Sequence, residues 1–213
     1  MKTDDLIAML ATNVEPVDGK YVLRAIGTAT VAGTLVAMAV MLLAFGFRTD
    51  LTTPHAFSYL LLKLAFTMVT VALTAILLTK LARPGGERKV SIAWVVLPFT
   101  AIMLLAAAHL ASAPSAHWQR MIVGDQWLEC LLSIPIIAIV PFAAVIFAVR
   151  RMAPTDLRRA GALAGLIAGS VSATAYALHC MDDSIPFVAF WYGGTIILCT
   201  AAGALLGPRL LRW

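Results

Sequence analysis

Apolar residues run along this chain in six long stretches, 25–47, 56–79, 91–111, 127–149, 160–178 and 186–206, parted by short polar breaks. A helix needs about 20 predominantly apolar residues to cross ~30 Å of hydrocarbon, and every stretch is near that length. The pattern predicts an all-α integral membrane protein, a bundle of six transmembrane helices with no room for a second folded domain. The chain divides into an N-terminal segment, 1–24, a transmembrane domain, 25–206, and a short tail, 207–213. The segment 1–24 carries both signs of charge and precedes an apolar run long enough to span, which predicts a retained helix and not a cleaved signal.

Composition agrees with lipid as the solvent. Of 213 residues, 61% are hydrophobic and 13% charged, and mean hydropathy is +0.90, far from the average of soluble domains. The formal net charge of +5 would suit nucleic acid if the basic residues shared one exposed face. They gather at predicted helix ends instead, so no direct nucleic-acid contact is expected and the bilayer is the surface the chain meets.

Lys2, Lys20, Arg24, Lys80, Arg83, Arg88, Lys89, Arg150, Arg151, Arg158, Arg159, Arg209 and Arg212 fall on one side of the predicted bundle. Arg48 and Arg120 fall on the other, and Lys63 lies inside a helix. Lys and Arg in short loops mark the cytoplasmic side, which predicts cytoplasmic N and C termini. Pro84-Gly85-Gly86 and Ala153-Pro154-Thr155-Asp156 read as tight turns followed by helix restarts. Gly161, Gly165 and Gly169 share one face of the fifth helix and predict close backbone packing. Pro98, Pro135 and Pro141 each remove a backbone hydrogen bond within a span.

The reactive side chains collect at the predicted outer face: His55, His109, His117 and His179, with Cys130, Cys180, Glu129 and the carboxylates Asp182 and Asp183. Thiols, imidazole and carboxylate at one depth suit a soft or borderline metal ion, with Cys130, Cys180, His179 and Glu129 as the ligand set. Two outward cysteines could instead form a disulfide, or the polar groups could simply satisfy helix ends. Cys199 lies deeper, as a small packing residue. Lys63, about two turns below the outer interface, must either snorkel outward or find a carboxylate; Glu129 and Asp182 are nearest by depth.

In the N-terminal segment, Thr3 can cap a helix whose first turn holds Asp4 and Asp5. Leu6, Ile7, Met9 and Leu10 then form an apolar stripe that cannot bury itself, ending before Pro16 and Gly19. The acidic turn disfavours anionic lipid and favours a protein groove, so Asp4, Asp5, Leu6, Ile7 and Leu10 are expected to bind a partner.

Several segments in order resemble the NrsF-like family of membrane anti-sigma factors, negative regulators of extracytoplasmic-function sigma factors in bacteria. They are Lys2-Thr3-Asp4-Asp5-Leu6-Ile7 with Leu10, Trp127-Leu128-Glu129-Cys130-Leu131 with Ile134-Pro135, and Ala153-Pro154-Thr155. Ala160-Gly161 through Ala164-Gly165-Leu166, Tyr176-Ala177-Leu178-His179-Cys180, Phe187 through Trp191-Tyr192, and Gly207-Pro208-Arg209-Leu210-Leu211-Arg212-Trp213 complete them. The resemblance covers nearly the whole chain. It implies a bacterial inner-membrane protein that is not an enzyme, holds a sigma factor through its cytoplasmic segment, and releases it when a signal reaches the outer face. It also implies that Cys130 and Cys180 match the family's paired cysteines and sense heavy metal or oxidative stress. No cofactor is required on that basis; a transient heavy-metal ion at the outer cysteines is the one ligand in view. Two rivals come from other classes: a small metal transporter or exporter using the outer Cys/His cluster for entry, and a membrane thiol oxidoreductase, which lacks a CxxC pair.

Overall fold

The computed structural model describes residues 20–82, 91, 93–152 and 154–212, together with Thr3, Ile7 and Met9. Among these described residues, six helices are long and apolar enough to cross a membrane: α1, Tyr21–Ala44; α2, Pro54–Leu81; α3, Ala93–Ser112; α4, Trp127–Arg150; α5, Leu157–Ala177; and α6, Ile185–Leu210. A short helix, Trp118–Val123, fills the α3–α4 connection. All six expected spans are present, several extended by a turn beyond their apolar runs.

Local chemistry explains two of the starts. Thr53 accepts a hydrogen bond from the Ala56 amide at 3.4 Å with Pro54 in the first turn of α2. Asp156 accepts from the Arg159 amide at 2.9 Å at the start of α5. Both are side chains that satisfy amides a helix leaves unpaired.

Helix α5 is the hub, packed against α1, α2, α4 and α6. It has the lowest mean hydropathy of the six, 1.3 against 2.7 for the span ending in α4, yet it is buried almost throughout. Hydropathy and burial separate here because lipid is already apolar. Close helix packing then rewards small residues, not greasy ones. The large apolar side chains face outward instead, among them Leu43, Leu104 and Leu205.

The glycine face of α5 meets a second small-residue face, Cys199, Gly203 and Gly207 of α6. A Cβ at Gly161 would lie 2.6 Å from the Gly207 Cα, and one at Gly203 would lie 3.0 Å from the Gly165 Cα. The expected packing role of Gly161, Gly165 and Gly169 is therefore realised, and Cys199, beside Gly169, belongs to the same seam. At another crossing, Gly33 of α1 rests on Pro141 of α4, where an added Cβ would stand 3.0 Å from the proline Cα.

Replacing Gly203 or Gly165 by valine should cost more than the ~1–3 kcal/mol typical of core overpacking, because backbone and not a flexible side chain must move. Gly27→Ala, where an added Cβ meets nothing within 4 Å, should be neutral or stabilise by up to ~1 kcal/mol. Thermal unfolding of the three variants in detergent measures the difference.

Candidate functional site

Lys63 on α2 has no exposed surface. Its ammonium donates to an Asp183 carboxylate oxygen at 3.2 Å and to the Cys180 carbonyl at 3.0 Å. Asp183 is shared: Arg48, from the α1–α2 loop, donates to its two oxygens at 3.1 and 2.7 Å. The same guanidinium donates to Asp50 at 2.7 and 2.8 Å and to the Cys180 carbonyl at 3.0 Å. Two cations and two carboxylates thus form a formally neutral cluster that ties the α1–α2 loop and α2 to segment 180–183. The backbone adds a further tie, from the Arg48 amide to the Leu178 carbonyl at 3.1 Å.

The expectation that Glu129 or Asp182 neutralises Lys63 is corrected. Glu129 is exposed, and Asp182 is spent on the backbone amides of Asp125 and Gln126, at 3.1 and 2.7 Å. One carboxylate thus serves the α4 entrance and the next serves the cations. Gly124, at φ 63°, makes the approach possible, since a Cβ there would lie 2.8 Å from an Asp182 oxygen and 2.6 Å from the Phe187 ring.

Cys130, in the first turn of α4, and Cys180, just past α5, are both free thiols with no exposed surface, and each lies within electrostatic reach of the other. Burial pushes the Cys180 thiol up, opposed by the nearby Lys63 ammonium. Two phenols complete the pocket. Tyr176 of α5 and Tyr192 of α6 are fully buried, with ring centroids 6.3 Å apart. The Tyr192 hydroxyl approaches the Cys180 sulfur but completes no hydrogen bond, and neither does that of Tyr176.

The site offers, in its two thiols, donors of the kind a soft, low-coordinate ion would use. It does not assemble the four expected ligands: among the described residues, no three His, Cys, Asp or Glu side chains converge as a metal-holding group. Glu129 is exposed, and His179 is held between the rings of Phe45 and Tyr176, at centroid distances of 5.3 and 5.9 Å. His55 leans on Tyr59, and exposed His117 lines an open cleft of about 470 Å³ with Arg120, Asp125, Asp182 and Asp183.

The family model described as "Negative regulator of sigma F" matches residues 10–213. The chain belongs to the NrsF family. It is 34% identical over 213 residues to "Probable anti-sigma-F factor NrsF" of Azospira oryzae and 30% identical over 223 residues to "Anti-sigma-F factor NrsF" of Caulobacter vibrioides, with 100% of both chains covered in each case. No solved structure matches it. The NrsF family is regulatory, not catalytic.

Within this NrsF-family chain, Arg48, Asp50, Asp183, Tyr176 and Tyr192 are site residues that sequence reasoning missed as partners of the thiols and Lys63. A buried lysine demanding a carboxylate was the available signal, and it pointed one residue short. The partner-binding positions Asp4, Asp5, Leu6 and Leu10 lie outside the described residues. Ile7, like Met9, is helical and exposed.

Asp183→Asn leaves two buried cations short of a counter-charge and should destabilise the fold by about 3–5 kcal/mol; thermal melts in detergent measure it. Arg48 holds Asp50 below the ordinary carboxylate range. The stability from that pair is present above the unfolded pKa and is lost as pH falls through the lowered folded one. Asp50→Asn should therefore flatten the acid limb of a stability–pH curve.

Proposed function

We propose that this chain is a membrane anti-sigma factor. It sequesters an extracytoplasmic-function sigma factor through its N-terminal segment, Asp4, Asp5, Leu6, Ile7 and Leu10, and releases it when Cys130 and Cys180 sense heavy metal or oxidative stress. Membership of a family of sigma-factor regulators supports the partner class. The concentration of Lys and Arg at one end of the bundle supports an inner-membrane orientation with both termini cytoplasmic, and an even number of crossings is consistent with it.

The observation that carries the sensing step is the thiol pair itself. Cys130 on α4 and Cys180 just past α5 are both buried and within electrostatic reach, and the Cys180 carbonyl is an acceptor in the charge cluster that fastens α2 and the α1–α2 loop. Two thiols that lose their protons to solvent and bind a soft divalent cation as thiolates leave the site electrically neutral, as it was before. Alternatively, a peroxide-class oxidant accepts two electrons and two protons from the pair as the disulfide forms, and is itself reduced to water or an alcohol and water. Either change draws sulfurs on α4 and past α5 together and pulls on Cys180, whose carbonyl holds Lys63 and Arg48.

Moving a two-state equilibrium from 1:99 to 99:1 needs about 5.5 kcal/mol of differential binding. Two metal–thiolate bonds or one disulfide are of adequate size; a single surface contact is not. The transporter alternative gains little, because Thr67, Thr70 and Thr74 donate to carbonyls of their own helix at 2.9, 2.7 and 2.6 Å and so line packing, not a path.

Gentle purification of the full-length protein from its native host should recover a sigma factor that is lost when residues 1–17 are deleted. Cys130→Ala with Cys180→Ala should keep the sigma factor bound in the presence of cadmium or peroxide, where the unaltered protein releases it. Release by the double variant to the wild-type extent would rule out the thiol pair as the sensor.

A further inference from the structure

Beside the thiols stands a buried phenol that completes no hydrogen bond. Tyr192 is fully buried, its hydroxyl completes no hydrogen bond, and it stands against the Cys180 sulfur. An unpaired buried hydroxyl costs about 1–3 kcal/mol, and such a group in a folded protein calls for a functional explanation. Here the acceptor beside it is a thiol, one of the weakest available.

The backbone is irregular at this point as well. Residues Val188–Tyr192 form a π-helical turn inside α6, an arrangement that re-aims side chains and is frequent at functional sites. Around the ring the fit is firm: the Lys63 ammonium lies over it at 5.9 Å from the centroid, and the rings of Phe187 and Tyr176 stand 6.4 and 6.3 Å away. The hydroxyl is therefore positioned in advance and waits for a better acceptor.

We propose that Tyr192 is a specificity-determining residue of the thiol site, donating its hydroxyl to the Cys180 sulfur when that sulfur bears a soft metal cation, and so favouring metal over oxidation as the signal. The inference rests on the thiol-pair function proposed above. On metal capture each sulfur exchanges its S–H bond for an S–metal bond, and the two protons pass to solvent. Metal-bound thiolate sulfur retains anionic character and accepts a charge-assisted hydrogen bond, which satisfies the phenol. A disulfide sulfur remains a poor acceptor, so oxidation leaves the hydroxyl as it was.

The test uses the detergent-solubilised full-length protein with Cd²⁺ alone, read by the ultraviolet sulfur-to-cadmium charge-transfer band. Tyr192→Phe should need about tenfold or more additional Cd²⁺ to reach half-saturation, the scale of losing one hydrogen bond to a charged acceptor. The same variant should form the disulfide with hydrogen peroxide at the wild-type rate. Its melting temperature without metal should be unchanged or higher, because an unpaired buried hydroxyl has been removed. A merely structural tyrosine would lower stability and impair both reactions together.

Wild-type cadmium affinity in Tyr192→Phe overturns the role of Tyr192 and leaves the thiol site standing. No band in the unaltered protein, or a band that survives Cys130→Ala with Cys180→Ala, removes the thiol site and this inference with it. If Tyr192→Phe does not fold, the unaltered protein still decides. Its near-ultraviolet tyrosine absorption must shift to the red on adding Cd²⁺, as a phenol does when its hydroxyl begins to donate to an anionic acceptor, and no shift overturns the proposal.

Discussion

A lysine ammonium with no exposed surface, two turns into an apolar bundle, is the constraint around which one end of this molecule is organised. An unpaired charge at such a depth is expensive, and Lys63 reaches neutrality only through Asp183, which lies far along the chain past the fifth helix. Arg48 arrives from a third place and shares the same carboxylate. Each of the three would be a liability alone. Together they fix where the α1–α2 loop, α2 and segment 180–183 sit, and removing one member strands the others.

The cluster can form only because α5 is thin. Its glycines and alanines let α6 approach to backbone contact and bring α1, α2 and α4 around a common axis. The residues following α5 consequently emerge at the centre of the bundle end, within reach of side chains from several helices. Cys180 inherits that location. Its carbonyl belongs to the ion cluster and its thiol is buried, so chemistry at sulfur is one residue's width from the charges that hold the helices.

This coupling gives a physical basis for signalling by a small protein without an extramembrane sensor domain among its described residues. In the function proposed above, a change at the sulfurs would act on densely packed helices and not on a compliant loop.

The long apolar helices, their approximate limits and the glycine face of α5 were all legible in the chain, because lipid sorts residues by transfer free energy and by side-chain size, which are local properties. The pairing of Cys130 and Cys180 comes from family resemblance and belongs to the proposed function, while Lys63 was legible as a charge that had to snorkel or find a carboxylate. The choice between Asp182 and Asp183, the recruitment of Arg48 and Asp50, the failure of Glu129 and His179 to join the thiols, and the idle hydroxyl of Tyr192 were decided by tertiary structure alone. Asp182 and Asp183 are the same residue type at adjacent positions, and the folded chain gives them different partners. Composition and periodicity carry no record of that choice. Partner choice among equal charges is settled by ångström-scale geometry, and it exists only once the helices have packed.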